Sequence, residues 1–171
     1  SYIRSQNGLM SWASDNCCNQ VSGSDHADVI VVGATNSSDH RTSWSTYGNW
    51  VDVVAPGESI RTTTNGGGNG TASGTSFSAP IVNGVIAMMM IASPNSTPNE
   101  IEQMLFDNCV DIGSAGEDIY TGHGRPDFFD CMEAADAAGG GGGGGNNTIT
   151  LATTSNNPAA GSSFWLTGYD A

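Results

Sequence analysis

Residues 76–92 read SFSAPIVNGVIAMMMIA, and the closing VIAMMMIA contains no polar side chain. The stretch has helical length and is apolar nearly all round, which predicts a helix that is buried. Such a helix needs sheet and further helices layered around it, and therefore a sizeable core. At 171 residues the chain is long enough for one domain with that core. Pro80 is expected in the first turn, where its missing N–H costs little. Gly84 lowers helix stability by about 1 kcal/mol against Ala, so its presence implies close packing. VIAMMMIA falls far short of the ~20 apolar residues that cross a bilayer.

The other segments supply those layers. DVIVVGAT (28–35) is a continuous β-branched run ending in Gly, the pattern of a strand buried on both faces of a parallel sheet. WVDVVAPG (50–57) is a shorter strand stopped by Pro-Gly, and GLMSWAS (8–14) reads as another. SIRTTT, NGGGNG and TAS (59–73) form a hairpin-like excursion with a glycine tip. STPNEIEQMLFDNCV (96–110) is a second helix, with Thr97 as N-cap, Pro98 at its first position and Glu100 completing a capping box. RPDFFDCMEAADAA (125–138) is a third. The fold class is α/β, a mainly parallel sheet flanked by helices over residues 1–138. Residues 139–145 are an unbroken glycine linker, and 146–171 read as a short β-like tail or the opening of a truncated second domain.

Charge narrows the function. Lys and Arg total 4 against 17 acidic residues, a net charge of −13. Such a surface repels phosphate and anionic lipid, so neither nucleic acid nor membrane is an expected partner. The acidity suits a secreted protein or one from a salty habitat. Cys17, Cys18, Cys109 and Cys131 fit no zinc spacing. Disulfide pairing in an oxidising compartment is the expectation, with three connectivities open if all four join and free buried thiols as the alternative. The chain opens without a start methionine, which reads as an interior cut.

The chemistry lies in NGTASGTSFSAP (69–80), where hydroxyl residues and glycines lead straight into the apolar helix. A serine nucleophile needs a base, a group that orients that base, and donors for the oxyanion. A helix start supplies free N–H groups and a positive dipole end, and small neighbours let a substrate backbone approach. A Ser/Thr-rich N-cap accounts for the same residues. The longer run NGTASGTSFSAPIVNGVIA resembles the serine motif of the subtilisin-like serine proteases, G-T-S-[MF]-[AS]-x-P-x-V-x-G. ADVIVVGAT, SWSTYGNW, VDVVAPGESI and GHGRPDFFDC are similar to further segments of that family in the same order, so the resemblance covers about Gly8 to Ala138.

The resemblance implies a subtilisin-like fold and a serine endopeptidase. Ser76 falls on the nucleophile, Pro80 and Gly84 on the motif's proline and glycine. Asn16 in WASDNCCNQ falls on the oxyanion asparagine, with Asn19 as the fallback and Asp15 standing where Gly is usual. Ala13, Ser14 and Asp15 then form one wall of the substrate pocket, and Gly74 and Thr75 border the substrate backbone. Ile81 stands where the family often has His. The family's D-[ST]-G aspartate and H-G-T-H histidine are both missing. His26, His40 and His123 read as surface or turn residues, and Asp52 and Asp127 as structural ones. The chain is therefore expected to be the C-terminal half of a catalytic domain, inactive and poorly folded by itself, with an N-terminal half supplying Asp and His. Its substrates are expected to be polypeptides. A pseudoprotease or binding module that kept the fold is the competing expectation. An α/β-hydrolase esterase is excluded because SGTSFSA is not G-x-S-x-G. No cofactor is required. Calcium is expected at most as a structural ion, with no ligand loop to assign it.

Overall fold

The computed structural model describes residues 2–23 and 26–140, so the tail and all but the first two residues of the glycine linker lie outside it. Its centre is the β-branched run. Strand β2 (Ile30–Thr35) is buried at every position, as expected of a strand between two layers. Before it come a short helix α1 (Tyr2–Ser5) and strand β1 (Ser11–Ala13), and after it strand β3 (Val53–Pro56). The three strands form one parallel sheet in the order β1-β2-β3, with Trp12 opposite Val31 and Val54 opposite Gly33. Ile30 N–H donates to the Met10 carbonyl at 2.9 Å and Ser14 N–H to the Val32 carbonyl at 3.0 Å. Residues 10, 12 and 14 therefore address β2, and Ser11 and Ala13 turn their backbone groups to the outer edge. Strands β4 (Ile60–Thr63) and β5 (Asn69–Ala72) make the expected antiparallel hairpin, its tip at Gly66–Gly68 with positive φ.

Helix α2 (Thr75–Ala92) lies on this sheet. Its buried positions are Thr75, Ser78, Ala79, Val82, Ile86 and Met89, spaced three or four apart. They meet Ile30, Val32 and Val53 of the sheet, Ile101 and Leu105 of α3 (Pro98–Asp107), and Cys131 and Ala135 of α4 (Phe128–Ala138). Burial of α2 on all sides is thus corrected to burial along one stripe, because the sheet and both other helices lie on one side of it. Ile91 stays 57% exposed and Ile81 38%. A Cβ on Gly84 would meet nothing within 4 Å, so the close packing expected there is not supplied by the described residues. Pro80 also shifts. It is the sixth helical residue, in the second turn, and its missing N–H leaves the Ser76 carbonyl without its intrahelical donor. As a whole, α2 is long and apolar enough to cross a bilayer by length and composition, more than VIAMMMIA alone implied, yet its stripe packs as a core helix does.

Local rules fix the remaining boundaries. The Thr97–Glu100 capping box forms reciprocally: Glu100 N–H donates to Thr97 Oγ1 at 3.4 Å and Thr97 N–H to Glu100 Oε2 at 2.7 Å. Helix α3 stops at Asp107, earlier than expected, because Cys109–Val110 (β6) pairs antiparallel with Arg125–Pro126 (β7). Asp127 then caps α4, accepting from Phe129 and Asp130 N–H. The expected disulfides are absent: all four cysteines are free. The two interior thiols satisfy themselves on backbone carbonyls instead, Cys109 on Leu105 at 3.3 Å and Cys131 on Asn108 at 3.8 Å.

Candidate active site

The site assembles at the carboxyl ends of the parallel strands, where open α/β sheets hold their ligands. Past β3, Gly57 donates to the Thr35 carbonyl at 2.9 Å and accepts from Gly74 N–H at 2.8 Å, which brings the start of α2 to the end of the sheet. Only glycine fits at 57, since a Cβ there would collide with Ser78 Oγ and Ala34. Gly74 is the N-cap of α2 with φ 155° and gives no side-chain cap, so the first N–H groups of the helix stay open.

What fills them differs residue by residue. Thr75 N–H donates to Asn16 Oδ1 at 2.9 Å, and the Thr75 hydroxyl to the same oxygen at 3.2 Å. Phe77 N–H turns back to the Gly74 carbonyl at 3.0 Å. Among the described residues, Ser76 N–H has no acceptor and the exposed Ser76 hydroxyl has no partner. A backbone N–H can only donate, so the Asn16 atom facing Thr75 must be its oxygen, and Nδ2 with its two protons is left over. Three uncommitted groups thus gather at one helix start: the Ser76 hydroxyl, Ser76 N–H and Asn16 Nδ2. The dipole of α2 adds positive potential there. Asn16 reaches the helix, whereas Asn19 pairs its carbonyl with Tyr47 N–H at 3.3 Å.

The residues before Asn16 split by burial. Ser14 is buried and its hydroxyl donates to the Thr46 carbonyl at 3.1 Å, so it can offer a ligand only its backbone. Ala13 packs against the core from β1. Asp15 is exposed with φ 84°. Its carboxylate accepts Asn16 N–H at 2.6 Å and the Cys17 thiol at 3.2 Å. The Asn16 N–H foremost, and then the thiol, hold this carboxyl below the usual range, while the same contact pushes the Cys17 thiol up.

No base stands beside Ser76 among the described residues. His26 and His40 are exposed. The His123 ring stacks on Phe106 at 4.4 Å, and the backbone N–H of His123 donates to the Asp52 carbonyl at 2.8 Å. The Asp52 carboxylate accepts Val31 N–H at 2.6 Å, a bond that ties β3 to the central strand. No cluster of three or more His, Cys, Asp or Glu side chains is placed to hold a metal ion among the described residues. Sequence reasoning missed the double bond from Thr75 to Asn16, although the hydroxyl preceding Ser76 was a visible signal.

A parallel sheet, a core helix and a serine with open donors at the helix start make up the layout found in α/β serine peptidases. The subtilase family model matches residues 5–124, and the chain belongs to that family. Subtilisin E of Bacillus subtilis (strain 168) is 36% identical over 99 residues, 58% of this chain and 25% of that protein. The extracellular serine proteinase of Thermus sp. (strain Rt41A) is 41% identical over 79 residues, 45% of this chain and 19% of that protein. A solved protease of Pseudoalteromonas arctica superposes with a TM-score of 0.66 at 27% identity, over 77% of this chain and 44% of that one. A lanthipeptide protease shares the fold with a TM-score of 0.68 at 18% identity, over 77% of this chain and 52% of that one. The chain therefore spans about a fifth to a quarter of these curated relatives and about half of the solved chains.

Proposed function

We propose that this chain is the serine-bearing part of an endopeptidase that hydrolyses polypeptides through an acyl-enzyme on Ser76. The observation that carries the reading is the clamp of Thr75 on Asn16 Oδ1, which leaves Asn16 Nδ2 and Ser76 N–H both free beside the Ser76 hydroxyl. In this mechanism Ser76 Oγ attacks the scissile carbonyl and its proton passes to an imidazole. The oxyanion collects the two free N–H donors. The leaving amine takes the proton, and water then releases the acyl group. Gly74 and Thr75 border the substrate backbone on one side, with Ala13, Asp15 and the Ser14 backbone on the other. No cofactor enters these steps.

The imidazole and its aspartate come from an N-terminal segment of the same kind of domain, and the chain by itself is inactive for want of them. Two features support such a partner. Among the described residues no strand pairs with the outer edge of β1, where Ser11 and Ala13 turn their backbone groups, and Trp12 of that strand is 62% exposed. The outer stripe of α2, with Ile81, Gly84 and Ile91, is apolar and stays exposed among the described residues. Residues 1–138 then form the C-terminal portion of the peptidase domain, 139–145 a linker and 146–171 a tail. The relative described as extracellular supports secretion.

A non-catalytic reading has one observation in its favour, the Asp15 carboxylate next to the oxyanion donor. Co-expression with a segment carrying D-[ST]-G and H-G-T-H motifs, followed by fluorophosphonate labelling, separates the two. The peptidase reading expects labelling that Ser76→Ala abolishes. A soluble assembly that takes no label, or label that survives Ser76→Ala, overturns it.

A further inference from the structure

We propose that Asp15 makes the enzyme select a cationic residue on the acyl side of the scissile bond, so that it cuts after Lys or Arg. The inference rests on the reading of Ser76 and Asn16 as the acylation centre. Asp15 is the chain neighbour of Asn16, their Cα atoms about 3.8 Å apart. An oxyanion held by Asn16 Nδ2 lies about 2.7–3.1 Å from that nitrogen. The residue that owns this carbonyl starts its side chain two bonds further on, within reach of the Asp15 carboxylate for a side chain as long as Lys or Arg.

The carboxylate is available. Oδ1 takes Asn16 N–H and Oδ2 takes the Cys17 thiol, so each oxygen keeps acceptor capacity. No cation of the chain neutralises it among the described residues. Arg4 is committed to Glu102 and Asp28, and Arg125 to Asp39. Arg41 donates to the Thr42 and Ser45 carbonyls and lies 4.7 Å over the Tyr47 ring. Arg61 sits on β4, paired across the hairpin with Thr71.

The fold accounts for an oxygen acceptor at this position, which takes Asn16 N–H, and not for its charge. At φ 84° glycine is free of strain and Asn tolerates the conformation, and neither brings a charge. Left alone, a negative charge beside a developing oxyanion slows every substrate. A cation arriving with the substrate reverses that penalty, and the net charge of −13 draws cationic peptides toward the site.

The test uses the chain assembled with its complementing segment and peptides that differ only in the residue before the cleaved bond: Arg, Leu or Glu. The expected order of kcat/KM is Arg above Leu above Glu. The Arg:Leu ratio should be about tenfold at low salt, between the roughly threefold of bulk water and the roughly hundredfold of a protein surface for unit charges about 6 Å apart. Asp15→Asn should erase that tenfold and Asp15→Glu keep most of it, and the ratio should shrink as salt rises. An Arg:Leu ratio that Asp15→Asn and Asp15→Gly leave unchanged overturns the proposal while the peptidase reading stands. A soluble assembly that cleaves none of the three peptides overturns both.

Discussion

Asn16 is assigned two jobs that separate by substitution. Its Oδ1 receives the N–H and hydroxyl of Thr75, which is fully buried, and its Nδ2 has no partner among the described residues. Asn16→Ala removes both. Stranding the Thr75 N–H should cost about 1–3 kcal/mol of stability. For a slope of about 1–3 kcal/mol per molar urea, that moves the unfolding midpoint down by ~1 M. Turnover should fall about 10²–10³-fold, a value established on subtilisin itself and carried over to this relative.

Asn16→Asp behaves differently. An Asp oxygen still accepts from Thr75, and its charge at a helix N-terminus is favourable by about 0.3–1 kcal/mol. The urea midpoint should stay at or above that of the parent chain. The donor has meanwhile become an acceptor with a negative charge, so turnover of the assembled enzyme should fall at least as far as in Asn16→Ala. Urea denaturation and peptide hydrolysis of the assembly read the two effects independently. An Asn16→Asp enzyme with near-parental turnover refutes the oxyanion role, and an unmoved midpoint in Asn16→Ala refutes the clamp.

Two further outcomes can be checked on the chain assembled with its complementing segment. Gly74→Ala forces a side chain into φ 155° with its Cβ 3.7 Å from the Asn16 amide, so it should lose about 1–3 kcal/mol in urea denaturation. A loss below ~0.5 kcal/mol would show that the helix start relaxes freely. The second is alkaline lability. Burial pushes the Cys109 and Cys131 thiols up to about 12 from an ordinary 9.0. In the unfolded chain they ionise near pH 9, and in the folded chain only near 12, so the unfolded state binds fewer protons in between. Stability is complete below pH 9 and should fall steadily from there toward pH 12. The chain has no lysine to mask the effect. Denaturation midpoints at pH 8, 9 and 10 should fall less steeply in Cys109→Ala and Cys131→Ala, and equal slopes would contradict the assignment.

Sequence patterns located what short-range physics controls. The β-branched run of β2 and the capping box of α3 depend on neighbouring residues, and both formed where expected. Strands β6 and β7 did not announce themselves, because two-residue strands carry no periodicity and one of them ends in proline. In the site, the serine at the helix start was visible in its motif. The choice between Asn16 and Asn19 was not, since it depends on which amide the sheet edge delivers to Thr75. Helix α2 shows why such reading runs out. Its composition records every surface it can bury, including any that another segment covers. The stripe through Val82, Ile86 and Met89 meets the sheet, and the stripe through Ile81, Gly84 and Ile91 stays exposed among the described residues. Apolarity all round was therefore a correct reading of the helix and an incorrect one of its neighbours. The missing base follows the same division, for the motifs that would supply it are absent from the sequence just as a cover for that outer stripe is absent among the described residues.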